Sequence, residues 1–112
     1  MSRHAGIIQV APGKLSDYVA LHRAVWPEVL EIIHQAGIRN YSIYLRKLPD
    51  EKHYLFSYFE YVGDKYEADM AWLAAQPKTQ EWWTHAMPLQ KPLPDREEGE
   101  WWATLEEVFH TH

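Results

Sequence analysis

The 112 residues read as one α+β domain with the ferredoxin-like order β-α-β-β-α-β, a sandwich of helices on a four-stranded antiparallel sheet. Three patterns carry that reading. Two runs in the middle of the chain alternate with period two around a short polar link. Stretches with helical spacing stand before and after them. Apolar runs open and close the chain.

Each element has its own signal. His4 to Val10 is a short apolar run that ends at Pro12-Gly13, a turn signal, and is expected to form the first strand. Ser16 or Lys14 opens a helix that continues to about Gln35 and stops at Gly37. Pro27 interrupts it, so a kink or break is expected at Val25-Trp26, with a restart at the proline. Val29, Leu30, Ile32 and Ile33 then supply a core face.

Asn40 to Lys47 sets Tyr41, Ile43 and Leu45 against Ser42, Tyr44 and Arg46. His53 to Tyr61 sets Tyr54, Phe56 and Tyr58 against Leu55, Ser57 and Phe59, and Leu48 to Lys52 reads as the hairpin loop between the two strands. Asp64 is expected to cap a second helix through about Ala75, and Pro77 to open a further short helix carrying Trp82-Trp83. Pro88 to Gly99 is Pro-rich and charged, hence a loop, and Trp102 to His110 is expected as the final strand.

Two helices cover only one face of such a sheet, yet the middle strands carry apolar or aromatic residues on both faces. A second copy is expected to cover the other, giving a two-fold homodimer, a dimeric α+β barrel.

Composition narrows the function. Sixteen acidic against eleven basic residues give a net charge of −5, which argues against nucleic acid and anionic membranes as partners. With no cysteine, thiolate metal sites and thiol nucleophiles are excluded. No apolar run approaches a membrane span, and Met1 to Ala5 lacks a signal-peptide core, so a cytoplasmic location is the expectation. Six Trp and seven Tyr suit a core, an interface or a sugar-stacking pocket.

The candidate chemistry begins on the first helix. Tyr18, His22 and Trp26 fall at i, i+4 and i+8, aligning a phenol, an imidazole and an indole along one ridge. Only the imidazole, with a pKa of about 6.5, exchanges protons readily near neutrality. The bland reading of each residue is explicit. A lone helical His is more often exposed or core-satisfied than catalytic, and Trp26 suits packing. Trp82 and Trp83 point about 100° apart on a helix, so one can be core. Tyr41 and Tyr44 lie on opposite strand faces, and Tyr41 is taken as the one facing the pocket. His110-x-His112, His34, His53 and His85 are weak metal signals. Glu97-Glu98 and Glu106-Glu107 are solvated charge.

Taken together, Tyr18-x-x-x-His22-x-x-x-Trp26-Pro27-Glu28, Asn40-Tyr41-Ser42-Ile43-Tyr44-Leu45, Trp82-Trp83 and Glu107-Val108-Phe109 resemble the L-rhamnose mutarotase family, in order and spacing over nearly the whole chain. The resemblance implies a dimeric ferredoxin-like isomerase that interconverts the α and β anomers of a 6-deoxy-L-sugar without a cofactor. Carried over by position, His22 matches the family's proton donor, and Tyr18, Tyr41, Trp82 and Trp83 match its sugar-binding residues. The sequence departs from the family at Leu89 to Trp102, where an Asn-Pro-Asp-Asn-Ser-Pro-like loop is replaced. That leaves L-fucose open beside L-rhamnose.

The residue types fit this chemistry independently. Mutarotation opens a hemiacetal: an acid protonates the ring oxygen while a base removes the anomeric proton, and neither metal nor cofactor is required. His22 suits proton transfer; a carboxylate, His22 itself or water are the candidates for the base. Tyr18 and Tyr41, with pKa near 10, suit hydrogen bonding to hydroxyls. Two other classes share the fold: cofactor-free oxygenases with haem-degrading enzymes, and non-catalytic sugar-binding dimers. Neither needs the Tyr18, His22, Tyr41 and Trp82-Trp83 set together.

Overall fold

The computed structural model describes all 112 residues. The order is β1 (Ser2–Val10), α1 (Leu15–His22), α2 (Pro27–Gln35), β2 (Ile38–Lys47), β3 (His53–Tyr61), α3 (Tyr66–Ala75) and α4 (Pro77–Ala86). A single 3-10 turn at Met87–Leu89 then leads to β4 (Gln90–Lys91) and β5 (Ala103–Leu105). The sheet is antiparallel in the order β2-β3-β1-β4, with β5 also paired to β1. This is the expected ferredoxin-like α+β arrangement.

The first helical stretch is two helices. Trp26 takes an extended backbone, with φ −60° and ψ 134°, because a residue before proline is pushed out of the helical region. Pro27 then occupies the first turn of α2, where its missing N–H costs nothing. So the break expected at Val25-Trp26 is real, and Trp26 leaves the helix that carries Tyr18 and His22.

Three expectations are corrected. The closing strand is Ala103–Leu105, not Trp102 to His110. Beyond it, two consecutive glutamates leave the ladder; the Arg3 guanidinium grips the Glu107 carboxylate at 2.9 and 3.2 Å, tying the tail down by side chains. Val108 and Phe109 are exposed, with nothing in this chain to bury them against. The segment Pro88 to Gly99 is not all loop, since Gln90–Lys91 pairs with Gln9 and Val10 before Pro92 stops it. Finally, Asp64 does not cap α3. Lys65 holds the cap position without a side-chain bond, and its N–H donates to the Tyr61 hydroxyl at 2.8 Å. That hydroxyl donates in turn to Asp69 at 2.5 Å, so a core tyrosine replaces the cap.

The helices cover one sheet face. Ile8, Val10 and Leu55 meet Tyr18 of α1 in one buried cluster, while Val29 of α2 meets Trp82 and Ala86 of α4 in a second. On the other face, cross-strand pairing lines up Ala5 with Tyr58, Ile7 with Phe56, and Phe56 with Tyr44. Ile7, Phe56 and Tyr58 are half-buried there, and Tyr44 is 65% exposed.

Candidate active site

The turn Pro12-Gly13, with Gly13 at φ 76°, reverses the chain from β1 into α1 and aims the helix across the sheet. One helical turn apart, Tyr18 and His22 stack with ring centroids 4.1 Å apart. The His22 Nδ1 lies 3.1 Å from the Tyr18 carbonyl oxygen. A carbonyl only accepts, so Nδ1 carries the proton and Nε2 is the nitrogen free for chemistry. The other side of the imidazole meets the edge of Trp82 at 5.5 Å. Burial pushes the His22 pKa below the ordinary histidine value, partly opposed by the bond to Tyr18. Burial thus favours the neutral form of His22, with its ring oriented by the Tyr18 carbonyl.

Trp26, although outside α1, returns to the same cluster. It meets Trp82 at 5.1 Å and His85 at 5.5 Å, both edge-on, so its role is packing as expected. Trp82 is buried and Trp83 half-buried, which matches their divergence on α4. Thus Tyr18, His22 and Trp82 form one contiguous stack, with Trp83 beside it.

Tyr41 comes from the sheet. A β-bulge sets Asn40 and Tyr41 against Phe59 alone, with Asn40 in the left-handed region at φ 51°. Asn tolerates that conformation, and its amide donates to Glu60 at 2.8 Å. Tyr41 shares the face of Ile43, which packs on the helix-side cluster, and its ring meets Phe59 at 5.6 Å, with the residue as a whole 42% exposed. Burial about the hydroxyl raises its pKa. Tyr44 faces the opposite way, as expected.

A cleft of about 510 Å³ opens beside this assembly, lined by Gly6, Ser57, Tyr41, Trp102, His4 and Tyr66 among others. Of the five residues singled out from sequence, only Tyr41 lines it; Tyr18, His22, Trp82 and Trp83 do not. Gly6 provides its smooth floor, because a Cβ there would meet Ser57, Trp102 and the Ala103 carbonyl at 3.3 Å. His4 is stacked between Tyr66 at 4.3 Å and Phe59 at 5.0 Å, and burial lowers its pKa. No three His, Asp or Glu side chains converge to hold a metal ion.

Sequence reasoning missed Gln90, Trp101 and Trp102. The adjacent tryptophans after a charged, Pro-rich stretch were the available signal. Trp101 Nε1 donates to Gln90 Oε1 at 2.8 Å, and both tryptophans pack on the Tyr18 cluster.

The Tyr18 hydroxyl is the anomaly. The residue is 4% exposed and the hydroxyl has no hydrogen-bond partner, while burial strongly raises its pKa. An unpaired buried hydroxyl costs roughly 1–3 kcal/mol. Tyr18→Phe should therefore leave stability to urea unchanged or raise it by about 1 kcal/mol, while catalytic efficiency falls. A clear loss of stability would mean that the hydroxyl is paired in solution.

The structure thus holds a half-buried, oriented histidine among aromatic rings, and a separate set of aromatic and polar side chains lines the cleft. The family model described as "L-rhamnose mutarotase" matches residues 3–111. An L-rhamnose mutarotase of Jannaschia sp. is 34% identical over 110 residues, which make up 98% of each chain. The crystal structure of an L-rhamnose mutarotase from Formosa agariphila superposes with a TM-score of 0.75 at 25% identity over the whole of both chains. Tetracenomycin F2 cyclase from Streptomyces glaucescens shares the fold alone, with a TM-score of 0.70 at 16% identity over 100% of this chain and 98% of its own. The chain belongs to the L-rhamnose mutarotase family, a family of sugar-acting isomerases.

Proposed function

We propose that the protein interconverts the α and β anomers of L-rhamnose by acid–base ring opening, with His22 as the proton carrier. The observation that carries this reading is the His22 tautomer: Nδ1–H is held by the Tyr18 carbonyl, which leaves Nε2 as the exchanging nitrogen. In the cycle, Nε2 takes the proton of the anomeric hydroxyl and the imidazolium gives it to the ring oxygen as the C1–O5 bond breaks. The aldehyde rotates, and the steps reverse on its other face. Both oxygens sit on one carbon, so one nitrogen reaches each in turn. The Tyr18 carbonyl stabilises the imidazolium between the two transfers. Tyr18, Tyr41, Trp82 and Trp83 are the proposed sugar-binding residues: phenols for hydroxyls, indoles for the C–H side and the methyl group.

Anomer exchange followed by proton NMR saturation transfer in weakly catalytic buffer tests the reading. Exchange of L-rhamnose should depend on the protein, whereas D-glucose should show only the background rate. L-fucose, the other 6-deoxy-L-hexose, is the second reading, favoured by the departure at Leu89 to Trp102. No acceleration for any sugar would overturn both.

We also infer a homodimer through the uncovered sheet face. Support comes from the aromatic row around Phe56 and Tyr44 and from the exposed Val108 and Phe109. Light scattering on a size-exclusion peak should give twice 13.3 kDa. A monomer mass would remove this inference.

A further inference from the structure

We propose that the cleft over Gly6 is the seat of the sugar ring, with the Ser57 hydroxyl as a contact on its floor and the Trp102 indole as its apolar wall; this rests on the mutarotase reading above. The strand register makes the cleft. Gly6 pairs with Ser57 on one side and with Thr104 on the other. Ile8 and Leu55, two positions along the same strands, belong to the buried cluster of Tyr18, so this row faces the helices. Two positions the other way, His4 pairs with Phe59. A glycine and a serine between two rows of larger side chains leave a trough, and Gly6, Ser57, Thr104, His4 and Phe59 all line the cleft.

The glycine decides what the trough offers. A Cβ at position 6 would stand 3.3 Å from the Ser57 Oγ and 3.3 Å from the Trp102 Cβ. The serine oxygen and the base of the indole therefore flank one empty position, and any side chain there would crowd both. Trp102 also packs on the cluster that buries Tyr18, so the cleft and that cluster share it as a wall. Tyr41, the proposed sugar-binding residue of the sheet, lines the same cleft.

These groups have the chemistry that recognises a carbohydrate. Trp102 and Phe59 offer ring faces to C–H groups, while the hydroxyls of Ser57 and Tyr41 can each donate and accept. Arg3, the one arginine or lysine among the lining residues, is already held by the Glu107 carboxylate. An uncharged sugar suits that lining better than a sugar phosphate, which calls for a free cation. His22 does not line the cleft, so Ser57 and Trp102 are assigned to binding and not to proton transfer.

The test is KM and kcat for anomer exchange of L-rhamnose in the parent, Ser57→Ala, Ser57→Val, Trp102→Leu and Trp102→Phe. Ser57→Ala should raise KM about three- to tenfold, the worth of one hydrogen bond. Ser57→Val, which also fills the trough, should raise it further. Trp102→Leu should raise KM, and Trp102→Phe should restore most of the loss because it returns a ring face. In each case the change should fall on KM rather than kcat, and the pH dependence should stay that of the parent. A titration of L-rhamnose into the nitrogen-15-labelled parent answers if the leucine variant does not fold. The indole N–H resonance absent from Trp102→Phe should shift and saturate. An unmoved Trp102 indole, or an unchanged KM in both Ser57 variants, would overturn the proposal while an active parent kept the mutarotase reading. Losses in kcat at constant KM would mean that these residues only shape the Tyr18 cluster, and would overturn it too. A parent that accelerates exchange of no sugar would overturn the mutarotase reading itself, which separates the two failures.

Discussion

His22→Ala is expected to lower the protein-dependent rate of anomer exchange by at least about 100-fold, the low end for a positioned acid–base group. The helix that carries it should survive, because alanine is the best helix former and His22 is the last residue of α1. Circular dichroism and the urea midpoint would separate chemistry from folding. The pH profile gives an independent check. Burial lowers the His22 pKa, and the neutral imidazole begins the cycle. Activity of the parent, corrected for buffer catalysis, should be flat near neutrality and fall only below pH 6.5 or so, where an unperturbed histidine would already be half protonated. Stability has the same sign: in that window the unfolded chain binds the proton more readily, so stability is lost as pH falls through the folded value. His22→Ala should flatten both dependences. A midpoint for activity above about 6.5, or a variant that keeps most of the rate, would remove His22 from the mechanism.

Gly63→Ala is expected to be the most destabilising single-methyl change in the chain, at about 2–4 kcal/mol by urea unfolding. Its backbone is not in the left-handed region, so the reason is space alone. A Cβ at Gly63 would stand 2.3 Å from the Tyr61 hydroxyl and 2.6 Å from its ring. A flexible neighbour would move aside at little cost. Tyr61 is held, being 2% exposed, with its hydroxyl fixed between the Lys65 N–H and Asp69. Moving it uncaps α3. Adding Tyr61→Phe should recover part of the loss, because the closest clash then disappears, and the two effects should be clearly non-additive. A Gly63→Ala protein as stable as the parent would show that this corner is looser than its packing.

How much of this was legible in the chain differs from element to element. The strands around Tyr41 and Leu55 alternate with period two, and the helices around Val29 and Trp82 carry apolar faces, so element types and order followed from local pattern. Pro27 marked the break after His22 for the same reason, since a proline ring acts on its immediate neighbour. The end of the chain was misread because Val108 and Phe109 look like a continuation of the strand that ends at Leu105, but are exposed in a single chain. Asp64 was misread as a cap because the real partner of that helix end, Tyr61, is set by packing.

The sequence by itself determined the α+β order, the stacked Tyr18 and His22 one helical turn apart, and the family to which those residues belong. These depend on separations of a few residues, where backbone geometry is periodic. Only the tertiary structure decided that His22 presents Nε2 and meets Trp82, that Tyr41 meets Phe59, and that Trp101 donates to Gln90 while packing on the cluster that buries Tyr18. Each of those depends on burial and on a hydrogen bond or ring contact between groups brought together by folding. No local period encodes such meetings, because they arise from how α1, α4, β2 and the chain's last third close on one another.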